Sequence, residues 1–441
     1  MEQRRKNLTQ LFIPICLETL LYMLSGMVDT LMLSSVNDQA VGAVGTANTY
    51  IGIFIIMFSV ISSGMVAVMT QNIGAGRPGV AYQARQLGLV FNAALGVIMS
   101  LFLSLGAGTI LSGVGVADAL MQPAKTYLQI VGGFCILNAL IPICSSYLRA
   151  FGFSKEPLYA SIIGNVINFC LNAFFLFVLH KGVAGVATAT VISRIINLVI
   201  VVRLGAVLVK AKQHPERESN RAVMGQIIRI GLPSACETAI YNVSMTLVIR
   251  FLNQMDAQGL NVTARSYTMQ ITNFSYCVGA ALAQANAIMT GWHIGAKEYD
   301  ACDRGTKKAA VIGVIVAVIL ETVFTLCSGW IMQLFSKDPQ MVSLVGKLLA
   351  IDIVLEIGRV TNLVYGQALK TSGDAVFPVV MGACFMILCS VGGTYLFGIR
   401  LGLLAVGAYI GMTGDECVRA VGMYLRWKSG KWKEKGLVKS R

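Results

Sequence analysis

The sequence predicts an all-α integral membrane protein, with twelve transmembrane helices in two six-helix lobes related by a parallel internal repeat. Three observations carry that prediction. Composition is the first: of 441 residues, 56% are hydrophobic and only 13% charged, with a mean hydropathy of +0.70, whereas water-soluble domains carry about 25% charged residues. The second is the length of the apolar runs. They suit helices of about 20 residues and are too long for the alternating strands, roughly ten residues each, of a membrane barrel. The third is self-similarity at a spacing near 220 residues, the mark of a repeated unit.

Apolar runs between polar breaks place spans at 8–33, 41–70, 83–111, 121–148, 158–179 and 184–209, then at 224–252, 262–290, 308–333, 341–370, 377–397 and 402–426. The hydrophilic stretch KAKQHPERESNR (210–221) divides them. Residues 1–209 thus form a first lobe, 210–223 a cytoplasmic linker, 224–426 a second lobe and 427–441 a basic cytoplasmic tail. The N-terminal RRKN precedes a run too long for a signal peptide, so that run reads as the first span. Lys and Arg number about 25 on the side holding the N-terminus, the even-to-odd loops and the tail, against about 7 opposite. The positive-inside rule then puts both termini in the cytoplasm of a multi-pass protein of the cytoplasmic (inner) membrane.

The formal charge of +14 follows this loop pattern and does not point to nucleic acid. The eleven cysteines lie almost all in apolar stretches without a CxxC pair, so neither a disulfide framework nor a zinc site is indicated, and small packing residues are expected. No GxxxxGK[ST], HExxH or GxSxG occurs, and His180, His214 and His293 lie scattered in loops. The chain is therefore not expected to be an enzyme or to bind ATP through a P-loop.

Three blocks recur in order. PICLETLLYMLS (14–25) matches PSACETAIYNVS (233–244) at an offset of 219; NIGAG (72–76) matches HIGAK (293–297) and LRAFGFSKEP (148–157) matches LKTSGDAVFP (369–378), both at 221. Six helices per copy is even, so equivalent helices run in the same direction. Parallel repeats of this kind belong to transporters, with substrate between the halves near the midplane.

The repeat separates scaffold from function. Pro14/Pro233, Glu18/Glu237 and Tyr22/Tyr241 are shared. The prolines remove a helix hydrogen bond and offer a bending point. The glutamates suit interfacial anchoring or a bond to a neighbouring helix. Asp29 is unshared, since Val248 stands at its counterpart. An acid at mid-bilayer costs roughly 2.5–3.5 kcal/mol even on insertion scales, which makes it a candidate for H⁺ uptake or Na⁺ ligation. The competing reading places Asp29 roughly 30 Å along an ideal helix, at the outer headgroups.

Span 5 carries Asn165, Asn168 and Asn172, the last two at i, i+4 on one face. Their amides suit ion or substrate contact, or hydrogen bonds between helices. In span 10, Asp352, Glu356 and Arg359 share a face, while their counterparts Val131, Cys135 and Asn138 are uncharged. A Glu356–Arg359 pair would leave Asp352 as a candidate for cation or substrate. Asp415 and Glu416 lie within one turn of Arg419 and read as a local ion pair.

Together PICLETLLYMLSGMVDTLMLS, QNIGAGR, LRAFGFSKEPLYASIIGNVIN, GVAGVATATVIS, GQALKTSGDAVFP and the RWKSGKW tail resemble the multidrug and toxic compound extrusion (MATE) family of secondary transporters. The resemblance implies two six-helix lobes around a central cavity. It also implies antiport of an organic substrate against Na⁺ or H⁺, with no other cofactor. Asp29 matches the first-span aspartate of the family's VDT-type motif, implicated in ion coupling. Some members place an aspartate where Asn172 stands, and this chain departs from them there. A second ion-site pattern in the family uses acids in spans 7 and 10; Glu237 and Asp352 fall in those spans without a local motif match.

The expected function is thus cation-coupled export of amphipathic, cationic organic compounds by alternating access. The expected partners are a small organic substrate, the coupling cation and membrane lipids, with the chain a monomer. A flippase for lipids or lipid-linked precursors is one alternative and predicts a strongly cationic cavity. A non-transporting scaffold or receptor is another and predicts no need for Asp29.

Overall fold

The computed structural model describes residues 6–35, 38–113, 116–210, 216–256, 258–333 and 335–438; His214, part of the 210–223 linker and the last three tail residues fall outside them. Among the described residues the chain is helical throughout, without a strand. The twelve long helices are α1 (Leu8–Ser34), α2 (Asp38–Gly74), α3 (Pro78–Leu105), α4 (Asp118–Gly132 and Ile136–Ala150), α5 (Lys155–Val178) and α6 (Gly182–Leu208). Then follow α7 (Asn220–Met255), α8 (Leu260–Gly295), α9 (Tyr299–Leu326), α10 (Pro339–Ser372), α11 (Val376–Arg400) and α12 (Leu404–Lys428).

Seven of these are long and apolar enough to cross a membrane by themselves, and the two pieces of α4 make an eighth, bent by 43°. The four that fall short by that measure are α7, α8, α10 and α12, all in the second half. Polar residues are the reason: α10 carries Lys347, Asp352, Glu356, Arg359 and Lys370, whereas α8 has one charge, Arg265, among many Asn, Gln, Ser and Thr.

The chain forms two compact units, Met1–Gly231 and Leu232–Arg441. The division falls inside α7, beyond the linker, because residues 216–231 are fastened to the first unit. Arg77 pairs with Glu218 at 2.6 Å. The Gln83 amide donates to the Glu218 carbonyl at 2.7 Å and accepts its N–H at 3.0 Å. Two glycines then bring α2 and the start of α7 into backbone contact. A Cβ on Gly64 would lie 1.9 Å from the Ile227 carbonyl oxygen, and one on Gly231 would lie 1.7 Å from that of Val60. Small residues are what permit such close helix crossings in lipid.

In the first unit, Phe58, Leu103, Leu128 and Leu137 belong to one buried apolar cluster. The break in α4 frees backbone N–H groups, and the Ser100 hydroxyl accepts that of Ile136 at 3.1 Å. Pro14 lies inside α1 and so deprives the Gln10 carbonyl of its helical donor. The buried Ser154 hydroxyl takes that role, donating to Gln10 at 3.0 Å.

In the second unit, Leu252, Leu348, Leu349 and Tyr409 share a core. α10 begins with Asp338 accepting the Gln340 N–H at 3.0 Å and with Pro339 in the first turn, and it ends at Gly373 with φ +100°. These are the expected start and stop residues. The tail folds back so that Trp432 stacks on Trp427, ring centres 4.1 Å apart.

Candidate functional site

The unshared aspartate of the first unit is held by the asparagines of span 5. The i, i+4 spacing aims Asn168 and Asn172 the same way, and both are buried, at 5% and 0% exposure. Asn172 donates to the Asp29 carboxylate at 2.7 Å and lies 3.2 Å from the Asn168 amide oxygen. Asp29 is only half-buried and lines a cavity of about 280 Å³ between α1 and α5. Leu21, Val28 and Phe169 give its apolar wall, and Ser25, Asp29 and Asn165 its polar groups. The Asn172 amide oxygen is buried without a hydrogen-bond partner among the described residues, an orphaned acceptor beside a carboxylate. That donor-poor, oxygen-rich set suits H⁺ or a hard monovalent cation. Arg194 on α6 is the cationic side chain within electrostatic reach of Asp29.

In the second unit Asp352 and Glu356 are 2% and 0% exposed, and Glu356 pairs with Arg359, as their spacing on α10 predicts. A third acid joins them from α9: Glu321, at 0% exposure, with carboxylate oxygens of the three residues all within 4.8 Å of one another. In the sequence Glu321 is a single acid within the apolar run VAVILETVF (316–324). The test that singled out Asp29 would have found it, since its repeat counterpart at 221 is Ser100.

Glu237 stands apart from this group. It pairs with Lys370 at 2.6 Å, as Glu18 pairs with Arg149 at 2.5 Å. Asp415 and Glu416 both meet Arg419 at 2.8 Å, as the local-pair reading expects. They are satisfied further by Ser390 and Asn362, at 2.9 and 3.0 Å. Of the seven candidate residues, the structure thus gathers Asp29, Asn168 and Asn172 in one unit and Asp352, Glu356 and Arg359 in the other.

A family model described as MatE matches the chain twice, over residues 14–174 and 233–396. The two matches begin at Pro14 and Pro233, the residues that open the repeat. The chain belongs to the MatE family. YisQ of Bacillus subtilis, described as an uncharacterized transporter, is 34% identical over 431 residues, covering 96% of this chain and 94% of that protein. A probable multidrug resistance protein NorM of Thermotoga maritima is 24% identical, covering 98% and 94%. Among solved structures, an outward-facing multidrug resistance MATE family transporter shares the fold, with a TM-score of 0.83 at 18% identity over 98% of this chain and 96% of that one. Long apolar helices and membership of this family of transporters make the chain a multi-pass membrane protein.

Proposed function

We propose that this MatE protein is a secondary antiporter that exports amphipathic, cationic organic compounds against an inward gradient of Na⁺ or H⁺. The observation that carries the reading is the Asp29–Asn172–Asn168 cluster opening on an apolar cavity. It combines one acid for a cation with hydrophobic walls for an organic body. Membership of the family and the multidrug resistance descriptions of its relatives support the same class.

Alternating access requires that ion and substrate favour different states of the protein, because a ligand shifts an equilibrium only through differential affinity. Asp29 suits that role. Its charge is compensated by a coupling cation in one state and by a cationic substrate in the other. Asn172 positions the carboxylate through its amide hydrogen. The absence of any Lys or Arg among the residues lining this cavity argues against a flippase for pyrophosphate-bearing lipids. We further propose an inner-membrane location with both termini cytoplasmic and a monomeric chain surrounded by lipid.

The test is efflux of a fluorescent lipophilic cation from proteoliposomes under separately imposed Na⁺ and H⁺ gradients. The wild type is expected to respond to one of them, and Asp29→Asn to lose at least tenfold of that response, equivalent to about 1.4 kcal/mol of coupling. Full ion coupling in Asp29→Asn removes the role given to this residue. A wild type indifferent to both gradients removes the antiporter.

A further inference from the structure

A second cavity of the first unit, of about 440 Å³, lies between α3 and the segment that leads into α7. It shares no residue with the cavity at Asp29. α3 forms one wall, from Tyr82 and Gln86 at one end to Leu87, Val90, Phe91 and Ala94 at the other. Spacings of three and four residues put these side chains in one row, so the wall turns from polar to apolar along the helix. The exposed strip continues through Val97, Ile98, Leu101, Phe102 and Leu105 without a polar side chain. From Leu87 to Leu105 an ideal helix rises roughly 27 Å, close to the hydrocarbon thickness of about 30 Å. Tyr82 and Gln86 therefore lie at the depth of lipid headgroups, where tyrosine is favoured.

The linker builds the polar end of the cavity. The Gln83 side chain donates to the Glu218 carbonyl at 2.7 Å, accepts the Glu218 N–H at 3.0 Å and donates to the Asn220 amide oxygen at 2.6 Å. Glu218 is neutralised by Arg77. Arg217 lines the cavity and makes no ion pair or hydrogen bond among the described residues. Asn220 accepts through its oxygen, which leaves its amide hydrogens to donate. Tyr82 accepts from Gln86 at 2.5 Å, which leaves its hydroxyl hydrogen to donate. The cavity is thus bordered by three free donors, one of them a guanidinium, and by no Asp or Glu. Such a set suits one phosphate. It offers nothing to the ammonium of a zwitterionic headgroup.

We infer that this cavity binds an anionic glycerophospholipid of the phosphatidylglycerol class, from the leaflet on the linker's side. Its phosphodiester meets Arg217, Tyr82 and Asn220, and an acyl chain follows Val90 and Phe91 along α3. Charge and depth agree in this choice, because the one free cation stands where the apolar strip ends. Gln83 fastens the linker to α3, so a lipid held by both stabilises their junction. The inference requires a membrane-embedded chain and does not rest on the antiport reading.

The test uses purified full-length protein, stripped of lipid in a neutral detergent, with its thermal midpoint followed at constant ionic strength. It is titrated with short-chain phosphatidylglycerol, short-chain phosphatidylcholine or glycerol 3-phosphate. A saturable rise of several degrees is expected with phosphatidylglycerol, half-saturating at about fivefold lower concentration than with phosphatidylcholine. Glycerol 3-phosphate, which carries the charge without the chains, should give none. Arg217→Gln should abolish the preference and leave the lipid-free midpoint unchanged, since this side chain is exposed and unpaired. Arg221→Gln removes an exposed arginine that does not line the cavity and should keep the preference. Equal half-saturation by the two lipids, a preference that survives Arg217→Gln, or one that falls as far with Arg221→Gln overturns the site. A rise with glycerol 3-phosphate equal to that with phosphatidylglycerol overturns the lipid as its occupant.

Discussion

Glu18 meets Arg149 in the first lobe and Glu237 meets Lys370 in the second, at 2.5 and 2.6 Å and with nearly equal burial. The basic partners stand 221 residues apart in the sequence, so the repeat has kept an ion pair as well as a helix pattern. The functional interior was not kept. Asp29, Asn168 and Asn172 correspond to Val248, Cys389 and Gly393, while Glu321, Asp352 and Glu356 correspond to Ser100, Val131 and Cys135. Each lobe therefore carries polar groups where the other is small or apolar. Duplication supplies two equal scaffolds, and unpaired acids, costly in lipid, are held in one lobe at a time.

The largest test of that comparison lies where the scaffolds themselves differ. Gly64 and Gly231 allow backbone contact in the first lobe, and the repeat counterpart of Gly64 is Ala285. A methyl group at Gly231 would meet the Val60 carbonyl at 1.7 Å, an overlap that no side-chain rotation relieves. Gly231→Ala should cost more than about 3 kcal/mol, beyond ordinary overpacking, and appear as loss of monodisperse protein after detergent extraction. Gly225→Ala on the same helix meets nothing within 4 Å and should be neutral or stabilising by up to about 1 kcal/mol. Equal behaviour of the two variants would mean that α7 does not start on the first lobe.

Of intermediate size is the shared ion pair. Arg149→Gln and Lys370→Gln each leave a glutamate that is 14% exposed without its cation. Charge-assisted bonds of this kind are worth about 1.5–3 kcal/mol, so each variant should lower stability by about 2 kcal/mol in thermal unfolding. The comparison predicts near-equality. A loss confined to one lobe would show that the pair is scaffold there and incidental in the other.

The helices, the repeat and the contacts within one helical turn were legible in the sequence. Glu356–Arg359 and the acids around Arg419 follow from i+3 and i+4 spacing alone, and Asp29 stood out because Val248 replaces it. What was not legible depends on which helices become neighbours. Glu321 gains meaning only when α9 lies against α10. The Asn172 bond to Asp29 needs α5 against α1. Glu237 and Asp352 share only their spans, 7 and 10, with the family's second ion-site pattern, and the contact of Glu237 with Lys370 gives that acid a partner of its own. The linker boundary moved for a similar reason. Hydrophilic composition marks where the chain is polar, whereas the compact units are divided by close packing at Gly64 and Gly231.

The smallest effect isolates a single hydrogen bond. Pro14 and Pro233 are shared, so each first helix of a repeat has a carbonyl one turn upstream that its own backbone cannot satisfy. In the first lobe Ser154 donates to that carbonyl, on Gln10; the repeat counterpart of Ser154 is Ala375, which has no hydroxyl. The bend point at Pro14 is thus fastened from α5's side by a bond that Pro233 lacks from the matching position. Ser154→Ala should cost about 1 kcal/mol, too little to unfold the chain. It should act locally, speeding amide hydrogen exchange around residues 8–14 while leaving 228–234 unchanged. Unaltered exchange at both prolines would show that the Ser154 bond does not restrain α1, and that the two proline-bearing helices are equally free to bend.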